Sequence, residues 1–161
     1  MCIRDRSDLA AKVIDLLRER RESISCAESI TGGALTAALV SISGASDVLL
    51  GSIVAYSKEM KINQLGLSAE LIDKKGLVSK EVALEMARGA RQKLGSSWAI
   101  SSTGSAGPRA LDGSSPGEIW IAIVGPDRQE SVKLSLNGAR QEVISGAVEG
   151  ALILLERILR A

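Results

Sequence analysis

Residues 26–33 read Cys-Ala-Glu-Ser-Ile-Thr-Gly-Gly. They follow a short β-like run, residues 23–26, and open a helix-like run, residues 34–42. A strand that turns into a helix through two glycines directs backbone N–H groups outward at the positive end of the helix, where an anion or a developing oxyanion can bind. An ordinary turn with Thr31 as N-cap and glycines for tight geometry has the same residues, so both interpretations stay open. The polar side chains on the turn are Glu28, Ser29 and Thr31.

The composition is that of one ordinary globular domain. The chain has 161 residues, 45% of them hydrophobic and 24% charged, which is enough for one buried core. A formal net charge of +1, with two Trp, one Tyr and no Phe, provides neither the basic surface nor the stacking platform of a nucleic-acid-binding protein. No apolar run approaches the ~20 residues that span a bilayer. We therefore expect no nucleic-acid partner and no membrane segment.

Histidine is absent and cysteine is scarce. Without His an imidazole-based catalytic triad is excluded, and with two Cys a zinc site is not expected. Cys2 and Cys26 do not make a disulfide framework, which favours a reducing cytoplasm. We therefore expect a cytoplasmic protein that needs neither a metal ion nor another cofactor.

Residues 1–6 read Met-Cys-Ile-Arg-Asp-Arg, which is the translation of a transposon end used in sequencing libraries. We interpret them as a sequencing-adaptor scar on a truncated gene and leave them out of the fold prediction. Residues 7–161 are then expected to form a single domain, because no internal repeat and no long linker divides them. A longer parent protein with a further N-terminal domain stays open.

Helical and strand patterns alternate along the chain. Ser7 and Asp8 can cap a first helix, and Ser68 and Ser79 stand where helix N-caps are expected. Besides the two runs named above, strands are predicted at residues 49–56, 98–102, 118–124 and 131–135, and helices at residues 58–65 and 141–159. Strand–helix alternation first and a hairpin later predict an α/β fold, a three-layer α/β/α sandwich around a mixed sheet.

Two segments carry a more specific expectation. Residues 49–56 are near-continuously apolar, a pattern typical of a buried strand. Residues 109–117 are rich in Gly, Ser and Pro, and we expect them to form a mobile loop.

Residues 27–33 resemble the AESCTGG signature of the CinA C-terminal domain family, the nicotinamide-nucleotide amidohydrolases. Three further blocks match in the same order, at residues 54–61, 76–79 and 103–108. Together they cover roughly residues 9–159, and four blocks in register are far more specific than any one of them. The resemblance implies a mixed, mostly parallel sheet of about five strands with one antiparallel. It also implies a hydrolase that releases ammonia from a nucleotide carboxamide.

Hydrolysis of a carboxamide needs a nucleophile, a base, an oxyanion hole and an acid for the departing ammonia. Without His or a metal, the base must be Lys, Tyr or a carboxylate. Ser29 lies on the tight turn, and Lys61 and Tyr56 follow a neighbouring strand. A lysine can act as base if burial lowers its pKa. The resemblance implies the same set, with Ser29 as nucleophile and Lys61 and Tyr56 as partners, Tyr56 orienting groups or relaying protons.

The resemblance also implies substrate contacts. Arg140 corresponds to an arginine that could hold the substrate phosphate in a bidentate fork. Glu28 could fix Lys61 or a ribose hydroxyl, and the sequence does not choose between them. Glycines would let backbone N–H groups approach the substrate. The remaining expected contacts are Thr31, Gly32, Gly33, Ser46, Thr103 and Gly104.

The chain departs from the family pattern at several positions near these residues. Ile30 replaces a Cys, Lys58 an Asn and Ser105 an Ile, and Ala139 stands where the family has Asp. After Pro108 a glycine-rich run gives way to residues 109–113, Arg-Ala-Leu-Asp-Gly. The loop shape and the substrate preference are therefore open.

We expect an enzyme that converts nicotinamide mononucleotide to nicotinic acid mononucleotide and ammonia in pyridine-nucleotide salvage, by a metal-independent Ser–Lys(–Tyr) mechanism. Two alternatives stay open, a non-catalytic nucleotide-binding or regulatory domain and a deamidase for another carboxamide. Small α/β enzymes are often homo-oligomers, and we expect one here.

Overall fold

The computed structural model describes residues 3–161, so Met1 and Cys2, part of the segment interpreted as an adaptor scar, lie outside the described residues. The helices are α1 (Ile3–Arg20), α2 (Ala34–Val40), α3 (Lys58–Leu65), α4 (Ala69–Lys75), α5 (Lys80–Leu94) and α6 (Arg140–Arg160), and a short 3-10 helix spans Ala45–Asp47. The strands are β1 (Ile24–Glu28), β2 (Leu49–Val54), β3 (Trp98–Gly104), β4 (Glu118–Val124) and β5 (Gln129–Ser135).

The five strands form one sheet in the order β2-β1-β3-β4-β5. Strand β1 is parallel to β2 on one side and to β3 on the other. Strand β4 is antiparallel to both β3 and β5. One strand therefore runs against the other four, which confirms the mixed, mostly parallel sheet.

Helices cover both faces of the sheet. Helices α1, α2 and α6 pack together over one face, and α3, α4 and α5 over the other. Successive residues of β1 alternate between the two cores, with Cys26 in the first and Ala27 in the second. The predicted three-layer α/β/α sandwich is confirmed. Within the part of the chain that the structure describes, no helix has both the length and the apolar character needed to cross a membrane.

Two elements differ from the sequence prediction. Helix α1 begins at Ile3, so Ser7 and Asp8 lie inside the helix and do not cap it. Strand β2 is an edge strand, and Leu50 and Val54 are 52% and 44% exposed. The prediction of a buried strand was wrong because an apolar run reports residue type, whereas burial also depends on having a neighbouring strand on both sides.

The strand directions bring several chain segments to one edge of the sheet. Because β1, β2 and β3 are parallel, their carboxyl ends lie together. The chain leaves these strands into residues 29–33, residues 55–57 and residues 105–117 respectively. Helix α6 begins at the same edge, since β5 runs in the direction of β3. Ligands of open α/β sheets bind outside the carboxyl ends of the strands, and a cavity opens at this edge.

Candidate active site

A cavity of about 650 Å³ opens at the carboxyl edge of the sheet. Its walls come from the end of β3, the segments after β1, β2 and β3, helix α3, the turn before α5 and the first residue of α6. The lining residues are Ser29, Ile30, Tyr56, Ser57, Lys58, Lys61, Leu77, Thr103, Gly104, Ser105, Ala106, Gly107, Pro108, Arg109, Ala110, Leu111 and Arg140. A volume of this size suits a small-molecule ligand. All three residues expected to be catalytic line it.

Ser29 follows β1 directly. Its backbone N–H donates to the Ser102 carbonyl at 3.0 Å, which ties the turn to strand β3. The residue is 7% exposed, and its Oγ lies 2.9 Å from Lys61 Nζ. Cys26, the only cysteine among the described residues, is buried in β1. Burial, and secondarily the charge of Glu28, raises the pKa of that thiol to about 12. Ser29 is thus the better placed nucleophile.

Lys61 is a buried lysine on α3. The helix begins after Ser57, whose Oγ accepts a backbone N–H of the first turn, and Lys61 in that turn faces inward. Its side chain donates to Ser29 Oγ at 2.9 Å, to the Ala55 carbonyl at 2.9 Å and to the Tyr56 carbonyl at 3.0 Å. Lys61 is 1% exposed, and desolvation by burial lowers its pKa from 10.5 to about 8.

The contacts of Lys61 suit both protonation states of its amine. A neutral amine has two N–H groups and one lone pair, whereas an ammonium has three N–H groups. The carbonyls of Ala55 and Tyr56 can only accept, so they take two N–H groups in either state. The remaining position faces Ser29 Oγ, which accepts from the ammonium or donates to the neutral amine. A proton can therefore pass between Ser29 and Lys61 without rearrangement of the site.

Glu28 lies beneath the turn and not in the cavity. It is fully buried, and its carboxylate accepts the backbone N–H groups of Gly33 at 3.1 Å and of Leu35 and Thr36 at 2.9 Å. It also accepts the hydroxyls of Thr31 and Thr36. Neither expected contact of Glu28, with Lys61 or with a substrate hydroxyl, is supported by this placement. The carboxylate caps α2, and it fixes the turn that carries Ser29.

The N-terminus of α2 is consequently not free to bind an anion. The Gly33 N–H points at Glu28, and the Gly32 N–H donates to the Ser29 carbonyl at 3.1 Å. The positive φ angles of Gly32 and Gly33, 56° and 104°, explain why both positions are glycine. The N–H groups of Gly32 and Gly33 thus do not face the cavity as expected. The two glycines instead allow the conformation of the turn. Among the described residues, the Ile30 N–H has no hydrogen bond, and Ile30 lines the cavity.

Thr31 serves the same buried network. Its Oγ1 donates to Glu28 and lies 2.7 Å from Ser102 Oγ. Since the Thr31 proton is used on the carboxylate, Ser102 must be the donor of the second bond. Thr31 is 4% exposed and does not line the cavity. The structure therefore gives Thr31 a role in shaping the turn and not in contacting a ligand.

Tyr56 reaches Lys61 only through its main chain. Its carbonyl accepts from Lys61, whereas its phenol oxygen accepts from Arg140 Nη2 at 3.0 Å. The residue is 62% exposed. No contact among the described residues joins the phenol to Ser29 or to Lys61, so the expected proton relay through the phenol is not formed in this structure. The phenol instead orients Arg140.

Arg140 is the first residue of α6 and lines the cavity. Its Nη1 donates to the Gly107 carbonyl at 2.9 Å, and its Nη2 to the Tyr56 phenol. Ala139 has no side chain that could orient the guanidinium. The Gly107 carbonyl and the Tyr56 phenol hold the guanidinium instead. Arg140 is therefore held in place although position 139 is not Asp.

Thr103 and Gly104 end β3 at the wall of the cavity. Thr103 Oγ1 donates to the Leu77 carbonyl at 2.8 Å and joins the strand to the turn before α5. A Cβ at Gly104 would lie 2.5 Å from Ile119 Cδ1 and 2.8 Å from the Glu118 carbonyl. The lack of a side chain at Gly104 thus serves the contact with β4. Both residues line the cavity, as expected, but each also has a structural task.

Ser46 lies at the opposite edge of the sheet. It belongs to the 3-10 helix that precedes β2, it is exposed, and it does not line the cavity. Because β2 is parallel to β1, the segment before β2 lies at the amino edge. The structure therefore does not bring Ser46 to the expected site, since the sequence does not indicate which edge a loop occupies.

Among the described residues, the cavity lining carries four basic side chains and no acidic one. Lys58 forms an ion pair with Asp73, which lies outside the lining. The other three basic residues are Lys61, Arg109 and Arg140. A concave surface with one sign of charge attracts the opposite sign, so this lining suits an anionic ligand. Among the described residues, no group of His, Cys, Asp and Glu could hold a metal ion.

Several contributors to the site were not predicted from the sequence, among them the carbonyls of Ala55 and Leu77 and the hydroxyl of Ser102. A main-chain carbonyl has no residue-type signal, so the first two could not have been found. Ser102 could have been found as a polar residue near the carboxyl end of the strand that pairs with β1.

Comparison with known proteins gives a consistent result. The sequence model of one protein family, described as CinA C-terminal domain, matches residues 6–159. A CinA-like protein of Synechococcus sp. (strain RCC307) is 44% identical over 124 residues, 76% of this chain and 30% of that protein. A CinA-like protein of Prochlorococcus marinus (strain AS9601) is 43% identical over 137 residues, 84% of this chain and 32% of that protein. The chain thus spans about a third of the length of these relatives.

Solved structures match over nearly the whole chain. A CinA superfamily protein of Klebsiella pneumoniae has a TM-score of 0.93 at 30% identity, covering 96% of this chain and 98% of that one. A competence/damage inducible protein of Agrobacterium tumefaciens has a TM-score of 0.92 at 30% identity, covering 98% and 96%.

Proposed function

The chain belongs to the CinA C-terminal domain family, and from that premise we propose that it is an amidohydrolase that converts nicotinamide mononucleotide to nicotinic acid mononucleotide and ammonia. The names of the relatives state no reaction. The proposal therefore rests on the resemblance of its sequence blocks and on the chemistry of the cavity.

One observation carries the proposal. A buried lysine with a pKa of about 8 lies 2.9 Å from the hydroxyl of Ser29, which stands on a fixed turn at a cavity wall. A solvated lysine on a helix surface would keep a pKa near its ordinary value and would have no such partner. The pair matches the Ser–Lys variant of the serine-hydrolase arrangement.

In the first step Ser29 Oγ attacks the carboxamide carbon, and its proton passes to the lone pair of Lys61 Nζ. The carbonyl oxygen becomes an oxyanion in the tetrahedral intermediate. A backbone N–H from the residue after the nucleophile is a common oxyanion donor in hydrolases whose nucleophile stands on a tight turn. Ile30 is the residue after Ser29, and its N–H has no other partner among the described residues.

In the second step the Lys61 ammonium donates its proton to the substrate nitrogen. The C–N bond breaks, ammonia leaves, and an ester joins Ser29 to the nicotinoyl group. Water then attacks this ester, and Lys61 accepts a proton from the water. The acid product leaves as the Ser29 hydroxyl is restored by that proton. One group thus acts as base and as acid in turn, which suits a pKa near neutral pH.

The choice of a nucleotide substrate rests on the charge of the lining. In the described part of the chain, four basic residues and no acidic residue line the cavity, and Arg140 presents a guanidinium held by the Gly107 carbonyl and the Tyr56 phenol. A guanidinium binds phosphate oxygens in a planar fork. The carboxamide of the pyridinium ring, which carries a positive charge in the mononucleotide, would lie toward Ser29 and the phosphate toward Arg140.

The test is ammonia release by the purified protein supplied with nicotinamide mononucleotide. The proposal predicts equal amounts of ammonia and nicotinic acid mononucleotide, and none with Ser29→Ala. Calorimetric binding of the mononucleotide without ammonia release would support a non-catalytic nucleotide-binding domain instead. Release of ammonia from other carboxamides but not from this one would support a deamidase of different substrate specificity.

A further inference from the structure

Arg109 differs from the other basic residues of the cavity. Lys58 is paired with Asp73, Lys61 donates to Ser29 and two carbonyls, and Arg140 donates to Gly107 and Tyr56. Among the residues whose side chains the structure describes, 5–161, none forms a hydrogen bond or an ion pair with the Arg109 guanidinium. Its charge is thus present at the cavity and is not paired within residues 5–161.

The main chain places Arg109 beside Arg140. The guanidinium of Arg140 donates to the Gly107 carbonyl at 2.9 Å, and Arg109 is two residues further along the same loop. Ser105 Oγ donates to the Arg109 carbonyl at 3.2 Å and holds the loop at this point. Two residues of extended chain span at most about 7 Å, so the Arg109 backbone lies within about that distance of the residue that holds the Arg140 guanidinium.

No acidic group of the loop neutralises Arg109. The nearest carboxylate in the sequence is that of Asp112, which accepts the Leu77 N–H and lies outside the cavity lining. This contact fastens the loop to the turn before α5. Because the Asp112 carboxylate makes this contact, the Arg109 guanidinium remains available for an anionic ligand.

We propose that Arg109 is a specificity-determining residue that binds the phosphate of the substrate together with Arg140. This inference rests on the proposed function and deepens it. A phosphate monoester dianion presents three terminal oxygens, more than one guanidinium can engage in a planar fork. Two guanidinium groups that line the same cavity can share these oxygens. The enzyme then discriminates against carboxamides that lack a phosphate.

The test compares nicotinamide mononucleotide with nicotinamide riboside, which lacks only the phosphate. Arg109→Ala should raise KM for the mononucleotide about 10-fold, the loss of one charge-assisted contact. It should leave kcat, and kcat/KM for the riboside, within about twofold. Arg109→Lys, which keeps the charge, should recover part of the loss. Arg160→Ala is a matched control, because Arg160 is exposed and lies about 30 Å from Arg140 along α6.

A binding measurement separates this inference from the proposed reaction. The Kd of nicotinamide mononucleotide, measured in a Ser29→Ala background that does not hydrolyse it, and the Kd of ribose 5-phosphate are determined by calorimetry. Weaker binding of both ligands by Arg109→Ala, with normal binding by Arg160→Ala, supports the inference even if no ammonia is released. Unchanged binding in Arg109→Ala, an equal loss for the riboside, or no binding of either phosphate ligand by the wild-type protein overturns it.

Discussion

Glu28 and Ser29 are consecutive residues whose side chains serve opposite sides of the turn after β1. The Glu28 carboxylate accepts the N–H groups of Leu35 and Thr36 at 2.9 Å beneath the turn. The Ser29 hydroxyl faces the cavity, 2.9 Å from Lys61 Nζ. Side-chain direction alternates along an extended chain, and this alternation separates the two groups. We therefore expect a change at Ser29 to lower mainly the activity and a change at Glu28 to lower mainly the stability.

Removal of the Ser29 hydroxyl should abolish turnover and leave the fold intact. Ser29→Ala should lower kcat for nicotinamide mononucleotide about a thousandfold or more, because the nucleophile is lost. The free energy of unfolding should change by less than about 1 kcal/mol, since the side chain contributes little packing. Denaturant titration and ammonia assays measure the two effects. Ser46→Ala is the control, and near-normal kcat in Ser29→Ala contradicts the covalent mechanism.

Loss of the Glu28 carboxylate should lower mainly the stability of the protein, whereas loss of the Ser29 hydroxyl lowers mainly its activity. Glu28→Ala leaves the buried N–H groups of Gly33, Leu35 and Thr36 without an acceptor, and we expect the free energy of unfolding to fall by about 3 kcal/mol. Glu28→Gln should also lower the free energy of unfolding, because its amide N–H₂ group would face backbone N–H groups that are themselves donors. Denaturant titration measures both. Lost activity at unchanged stability would instead indicate that Glu28 touches the substrate.

The fold could be predicted from the sequence because its signals are local. Serine N-caps before α4 and α5, the glycine turn after β1 and the hairpin of β4 and β5 each depend on a few neighbouring residues. The edge position of β2 could not be predicted in this way. It depends on which strands pair, and an apolar run contains no information on that order.

The candidate site, like the fold, could be predicted from the sequence only in part. Ser29 and Lys61 could be proposed from their residue types and from the resemblance, and the structure joins them. The environment of Glu28 could not be proposed, since a carboxylate beside a nucleophile suggests catalysis as readily as capping. Ser46 was misplaced because the sequence does not distinguish the two edges of a parallel sheet.

The phenol of Tyr56 should affect substrate binding more than chemistry. Tyr56→Phe removes the acceptor of Arg140 Nη2 but keeps the carbonyl that contacts Lys61. We expect KM for the mononucleotide to rise about fivefold, the value of one hydrogen bond, with kcat within about twofold. Steady-state kinetics at saturating substrate measure the difference. A fall in kcat of about a hundredfold would mean that the phenol relays protons, as the sequence suggests.

Burial of Lys61 should make stability depend on pH above neutrality. Its pKa is about 8 in the folded protein against an ordinary 10.5. Between these pH values the unfolded chain keeps a proton that the folded protein has released, so the free energy of unfolding rises with pH. The rise attributable to Lys61 is about 3 kcal/mol. Denaturant titrations of wild type and Lys61→Met from pH 7 to 10.5 isolate it, because other groups cancel. Parallel curves would mean that Lys61 is not perturbed.

The dependence of kcat/KM on pH tests the role of Lys61 as base most directly. Ammonia release from nicotinamide mononucleotide is measured from about pH 6.5, above the second phosphate ionisation, to about pH 9.5. The wild-type value should rise almost tenfold per pH unit well below pH 8 and level off above it, because only the neutral amine accepts the Ser29 proton. Lys61→Arg should be inactive throughout, since a guanidinium does not release its proton in this range. A flat wild-type profile, or an active Lys61→Arg variant, contradicts the Ser29–Lys61 mechanism.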